Sequence, residues 1–141
     1  METRAREIVD SFGDLIFDLC HALFPGAEQA GEAFRAAVKA AARGATASGF
    51  SEFRRASVLA LALPVIFDHA RRMPRPGPLE ENFRSAFDHL PADSRVLLLL
   101  HEKHGIPLSE LASAWSEPED TLKIRRQQAL RTLSEWVWES D

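Results

Sequence analysis

Between Met73 and Pro78 the chain reads Met-Pro-Arg-Pro-Gly-Pro, and no regular helix or strand survives that spacing of prolines. Proline lacks a backbone N–H and pushes the residue before it out of helical geometry, so alternating prolines make a stiff, extended spacer. The 141 residues therefore divide into 1–72 and 79–141, each of a size that folds as one small unit. What fills the two halves is helical. Leu, Ala, Arg and Glu dominate, Tyr is absent and β-branched residues are sparse, a composition that favours helix over sheet. The expected fold class is all-α: two small lobes, an N-terminal three-helix bundle and a C-terminal helix-turn-helix domain, joined by a Pro-rich linker.

In the first half, Ile8, Phe12, Leu15, Ile16, Leu19 and Leu23 recur at helical spacing until Pro25-Gly26. Ala30, Phe34, Ala37, Val38 and Ala41 mark a second helix, whose small residues allow close packing. Gly44 to Gly49 reads as a Gly, Ala, Thr and Ser loop. A third helix is expected from about Ser51 to Arg72, apolar on more than one side and kinked at Pro64. After the spacer, Leu79, Phe83, Ala86, Phe87 and Leu90 form another stripe. Pro91 opens a new helix with Asp93 in its first turn, and Gly105 stops it. The run Val96 to Leu100 fits a strand by pattern alone, but its leucines and helical flanks decide for a buried helix. A short helix carries Leu108, Leu111, Ala112 and Trp115 inward. Ser116 with Glu119 fits a capping box for a last helix bearing Leu122, Ala129, Leu133 and Val137.

The net charge of −4 argues against a protein coated in nucleic acid, and leaves room for a local basic face. Such a face is offered by the last helix: Lys123, Arg125, Arg126 and Arg131 fall in a stretch without an acid between Thr121 and Ser134. Helix, tight turn, helix over Gly105 to Arg131 is the layout that sets a second helix in the major groove, with basic side chains on phosphates. The competing account is a solvated face with partners one turn away.

The run Leu90-Pro-Ala-Asp-Ser-Arg-Val-Leu-Leu-Leu-Leu-His-Glu-Lys-His-Gly105 continues without a gap into Ile106-Pro-Leu-Ser-Glu-Leu-Ala-Ser-Ala-Trp-Ser-Glu-Pro-Glu-Asp-Thr-Leu-Lys123. It resembles the promoter −35-binding domain of extracytoplasmic-function (ECF) sigma factors: Leu-Pro, an apolar run, Gly, a Glu-x-Ala helix, Pro, then Thr-Leu-Lys. The resemblance covers nearly half the chain. It implies DNA contacts by Thr121, Lys123, Arg125, Arg126 and Arg131. The first half is similar, more distantly, to that family's polymerase-binding and −10-binding domain. Glu32-Ala-Phe34 stands where the family has Glu-x-Phe, while Phe53-Arg54 and Asp68-His-Ala-Arg-Arg72 bracket the helix that melts promoters in the family. The resemblance thus implies partner contacts by Glu28, Glu32 and Phe34, with RNA polymerase core or an anti-sigma-like protein as partner and promoter-like double-stranded DNA as ligand.

Several stretches depart from the family pattern. The polymerase-clamp motif falls on Glu28-Gln-Ala-Gly31, which keeps only the acid. Ala56 to Pro64 is mostly Ala, Leu and Val, where single-strand binding needs stacking aromatics and cations. Ile124 replaces a usual small polar residue, Arg126 replaces an inward leucine, and Glu117, Glu119 and Asp120 cluster at the helix start, where they repel phosphates. Two further functions therefore stand beside a sigma-like transcription regulator. One is a degenerate sigma-like module that binds a protein and no longer melts promoters; the other is a dimeric helix-turn-helix repressor.

The remaining chemistry-bearing residues read as structural. Cys20 is the only cysteine, so no intrachain disulfide forms, and a reducing cytoplasm is expected. His101 and His104 sit one turn apart without a third or fourth ligand, so no metal or other cofactor is expected. No phosphate-cradling loop or nucleophile–base order appears, and no enzyme activity is expected. Val58 to Phe67, the longest apolar stretch, is half of the roughly 20 residues a membrane helix needs, and the N-terminus lacks a signal-peptide core. Trp136 and Trp138 close a core or face a partner.

Overall fold

The computed structural model describes residues 2–48, 54–72 and 83–139. Every regular element among them is helical: α1 (Glu2–Leu23), α2 (Ala27–Ser48), α3 (Arg55–Arg71), α4 (Phe83–Asp88), α5 (Ala92–Leu98), α6 (Leu108–Trp115) and α7 (Glu119–Glu139). The chain divides into two compact units. Met1–Met73 with Ser113–Ser116 forms the first, and Pro74–Ala112 with Glu117–Asp141 the second. The change of unit at Met73 and Pro74 falls where the proline spacer begins, but the spacer itself, Leu79 and Phe53 lie outside the described residues.

In the first unit α1 packs on α2 and α2 on α3. Ile8, Leu15, Ile16, Leu19, Cys20 and Leu23 of α1 are buried, as are Val58, Leu59, Ala62, Leu63 and Ile66 of α3. Between them α2 offers Ala30, Ala33, Ala37, Val38, Ala41 and Ala42, so its backbone sits close to both neighbours. Each fully buried Leu or Ile contributes about 1.5–3 kcal/mol, which is how so small a bundle offsets its chain entropy. Residues Gly44 to Ser48, expected as a loop, instead extend α2. The cause is tertiary. A side chain on Gly44 would place its first carbon 2.5 Å from Leu61 Cδ2, so this glycine serves helix packing and breaks nothing. Pro64 lies within α3, which runs through it. Both Pro64 and Ala60, whose carbonyl loses its usual donor, are on the exposed side.

In the second unit Val96, Leu97, Leu100, Ile106, Leu111 and Leu122 are wholly buried. Phe87, Leu90, Leu98 and Ala129 form a second cluster, against which Leu99 and Leu133 pack. Burial on every side of α5 explains the unbroken run from Val96 to Leu100. The run is accommodated by a π-helical turn over Leu99–Lys103, in which the His104 N–H donates to the Leu99 carbonyl at 3.1 Å. The widened turn was not legible in the pattern of leucines.

Two positive-φ residues bracket α6. Gly105 has φ 67° and Ser116 has φ 55°. The Glu117 N–H donates to the Ala112 carbonyl at 3.1 Å, which makes Ser116 the left-handed residue of a Schellman cap. Ser116 thus ends α6 and does not open α7 through a capping box. At the start of α7 the carbonyl of Pro118 takes the N–H groups of Thr121 and Leu122, at 3.1 and 3.3 Å. Ser116→Gly is expected to gain under about 1 kcal/mol by removing left-handed strain, while Gly105→Ala, though nothing lies within 4 Å of the added carbon, loses about 1 kcal/mol. Urea unfolding of the two variants checks the opposite signs; a common sign contradicts the cap assignments.

Candidate nucleic-acid interface

The helix α7 is held by the side facing α4 and α5, where Leu122 and Ala129 are buried. At about 100° per residue, Ile124 and Arg131 lie diametrically opposite that seam, with Asp120, Gln127, Gln128 and Thr121 flanking them. All six are exposed, and Ile124 is 55% exposed despite being apolar. Lys123 is exposed as well, to one side of this face.

The two remaining cations of α7 serve the fold. Arg125 and Arg126 fall on either flank of the buried seam, where carboxylates meet them. Arg125 places Nε 3.3 Å from Asp93 Oδ2, at the start of α5, and Nη1 2.9 Å from Glu117 Oε2. The second contact is a close ion pair without hydrogen-bond alignment, and the longer Nη2–Oε1 approach of 3.5 Å accompanies it. With its side chain 20% exposed, Arg125 ties the first turn of α7 to α5 and to the connecting turn. Arg126 donates from Nε to Glu102 in the π turn. That hydrogen bond, reinforced by the charges of Arg126 and His101, holds the Glu102 carboxyl below the ordinary glutamate range.

Of the residues expected to contact DNA, then, Thr121, Lys123 and Arg131 point to solvent, while Arg125 and Arg126 are committed to acids of their own unit. Sequence reasoning noted Ile124 only as a departure from the family pattern, and missed Gln127 and Gln128 as members of the exposed face. The helical period could have found them, since they stand opposite Leu122 and Ala129.

No protein-family model and no curated protein matches the chain.

On the first unit, the expected partner-binding residues Glu28 and Glu32 are exposed on α2 and Phe34 is half-buried. Phe34 meets the edge of Phe17 at 6.2 Å between centroids, and Phe17 stacks on His21 at 5.6 Å. Phe17 is 55% exposed and Val9, two turns earlier on α1, is 42% exposed. This aromatic group was not anticipated; Phe17 and His21 stand one turn apart on the outer side of α1.

The other polar groups singled out in the sequence have local duties. The His101 Nδ1–H donates to the Ile106 carbonyl at 2.8 Å, which braces the turn around Gly105. Asp68 pairs with Arg72 at 2.7 Å and Arg71 at 3.9 Å, closing the end of α3. The side chains of Trp136 and Trp138 lie outside the described residues. Among the described residues no group of three His, Cys, Asp or Glu is arranged for a metal, and no helix is long and apolar enough to cross a membrane.

Cys20 is buried in the first unit, and burial pushes its thiol up to about 12. The thiolate is the reactive form, so native Cys20 is chemically quiet at neutral pH. Alkylation by iodoacetamide is expected to be slow in the native protein and to rise sharply once urea opens the first unit. Rapid labelling without denaturant contradicts the burial.

Proposed function

We propose that the protein is a cytoplasmic transcription regulator similar to an ECF sigma factor, whose second unit binds duplex DNA through α7 and whose first unit binds a protein. The observation that carries this reading is the outward face of α7. It brings Thr121, Ile124, Gln127, Gln128 and Arg131 to solvent beside Lys123, on a helix that follows a short helix and a tight turn. A face of that kind supplies groups for base edges and cations for phosphates.

Charge sets where the phosphates lie. Glu119 and Asp120 in the first turn of α7 favour the helix through its dipole and repel phosphate from that end. Phosphate contacts therefore fall to Lys123 and Arg131, while Arg125 and Arg126 hold the helix in position. The protein partner, RNA polymerase core or an anti-sigma-like protein, meets Glu28, Glu32 and Phe34 together with the adjoining Phe17.

Binding of a labelled mixed-sequence duplex across a salt series tests the reading. The log–log slope is expected to be about −1.8 or steeper, about 0.9 for each of the two cations. No binding to any duplex at low salt ends it.

A second reading, a sigma-like module that binds only protein, is favoured by the exposed Phe17 and by the internal pairing of Arg125 and Arg126. Retention on core polymerase together with duplex binding supports the first reading. Capture of a smaller protein, with neither polymerase nor DNA bound, supports the second.

A further inference from the structure

The exposed face of α7 has a composition that selects among bases. In its middle turns an alkyl side chain, Ile124, is flanked on either side by the amides Gln127 and Gln128, with the hydroxyl of Thr121 one turn earlier. In the major groove an amide pairs in two-point fashion with adenine N6 and N7, and an alkyl group packs on the thymine methyl. Guanine is read by a guanidinium or ammonium reaching O6 and N7. The two guanidiniums nearest the start of this helix do not serve that purpose. Arg125 is held by Asp93 and Glu117, and Arg126 by Glu102.

The other charged groups supply no guanine reader either. Arg131 lies ten residues beyond Thr121, about 15 Å along the axis, past the N-terminal turns that enter the groove. Lys123 is turned some 80–100° from Ile124 and Arg131, toward the groove wall where phosphates run. Asp120, an acceptor only, disfavours the O6/N7 edge of guanine on the strand it faces and accepts from adenine N6 or cytosine N4 alike.

We infer that α7 reads A·T base pairs: Gln127 and Gln128 select adenine and Ile124 selects the thymine methyl, within a core that excludes guanine from the strand they face. The inference rests on the DNA-binding reading above and names its ligand. A sequence of two or three adjacent A·T pairs is the expected core, because Ile124 and Gln127–Gln128 span only one turn of the helix, about 5 Å. One base step is about 3.4 Å.

Selection from a random duplex library, followed by sequencing of bound molecules, tests it with the full chain. The wild type is expected to enrich a short A·T core. Replacing thymine in that core by uracil, which removes only the methyl, is expected to weaken binding several-fold for the wild type and not for Ile124→Ala. Gln128→Arg is expected to shift one core position toward G·C. Enrichment of G·C-rich cores by the wild type overturns the inference. So does an A·T core that persists unchanged in a Gln127→Ala, Gln128→Ala double variant. Salt-dependent binding without any enriched sequence overturns it too, yet leaves the DNA-binding reading standing. No binding to the library at low salt overturns both. Circular dichroism of each variant separates lost recognition from lost folding, since all three positions are solvent-facing.

Discussion

Replacing Arg125 with alanine is expected to destabilise the second unit by about 1–2 kcal/mol, the largest loss from any single cation of α7. Arg125 is the most covered of these cations, its side chain 20% exposed against 34% for Arg126, and it stands between two carboxylates. Its removal leaves Asp93 and Glu117 facing each other's negative charge with no cation between them. Both retain contact with water, at 42% and 32% exposed, so the loss stays below the roughly 3–5 kcal/mol of breaking a fully buried pair. Arg125→Lys falls between, because an ammonium cannot span both carboxylates as the planar fork does. Urea midpoints give the ordering. Faster amide exchange at the start of α7 and in α5 locates the effect. DNA affinity falls with Arg125→Ala because the helix is less well held, but the salt slope is expected to stay that of the wild type. A slope reduced by about one unit shows Arg125 on a phosphate and contradicts its assignment as an internal strut.

The Lys123→Ala, Arg131→Ala double variant is expected to behave in the opposite way. Both side chains are exposed, so stability changes by less than about 0.5 kcal/mol. Binding changes greatly. Each phosphate contact carries about 0.9 of log–log slope, so losing two flattens the salt dependence by about 1.8. Taken from 1 M to 0.1 M salt, the same slope corresponds to an affinity loss of roughly 60-fold. The single variants are expected to divide this loss about equally, because the residues are two turns apart and share no partner. A double variant that binds as tightly as the wild type removes both residues from the interface.

The two arginines also mark where sequence reasoning stopped. The residues 121–131 carry cations and no acid, which reads as a basic face on the helix taken alone. The acids that engage Arg125 and Arg126 come from elsewhere. Asp93 is 32 residues earlier and Glu102 is 24 earlier, and only the packing of α7 against the π-turned α5 brings them near. Local charge pattern cannot report partners that far along the chain. The helices themselves were legible because their apolar spacing is strong, from Ile8 to Leu23 and from Leu108 to Trp115. Gly44 and Ser116 misled for the same reason as the arginines. A glycine that admits Leu61 looks like a loop signal, and a serine forced to positive φ by a Schellman turn looks like an N-cap. In each case tertiary packing overrode the local preference.

Both readings of function use the same scaffold and differ in which surface is occupied. The exposed pair Phe17 and Val9 gives the first unit an apolar contact area, and the outward face of α7 gives the second a polar one. DNA binding by α7 does not require a large excess of positive charge. It requires Lys123 and Arg131 to be reachable while Arg125 and Arg126 fix the angle at which they are presented.

The most direct measurement is a heteronuclear NMR titration of the whole chain with an A·T-containing duplex at low salt. The account predicts that shifts concentrate at Thr121, Lys123, Ile124, Gln127, Gln128 and Arg131, with α1 and α2 unmoved. Saturating shifts confined to the neighbourhood of Phe17 and Phe34, or a spectrum indifferent to added duplex, would contradict it.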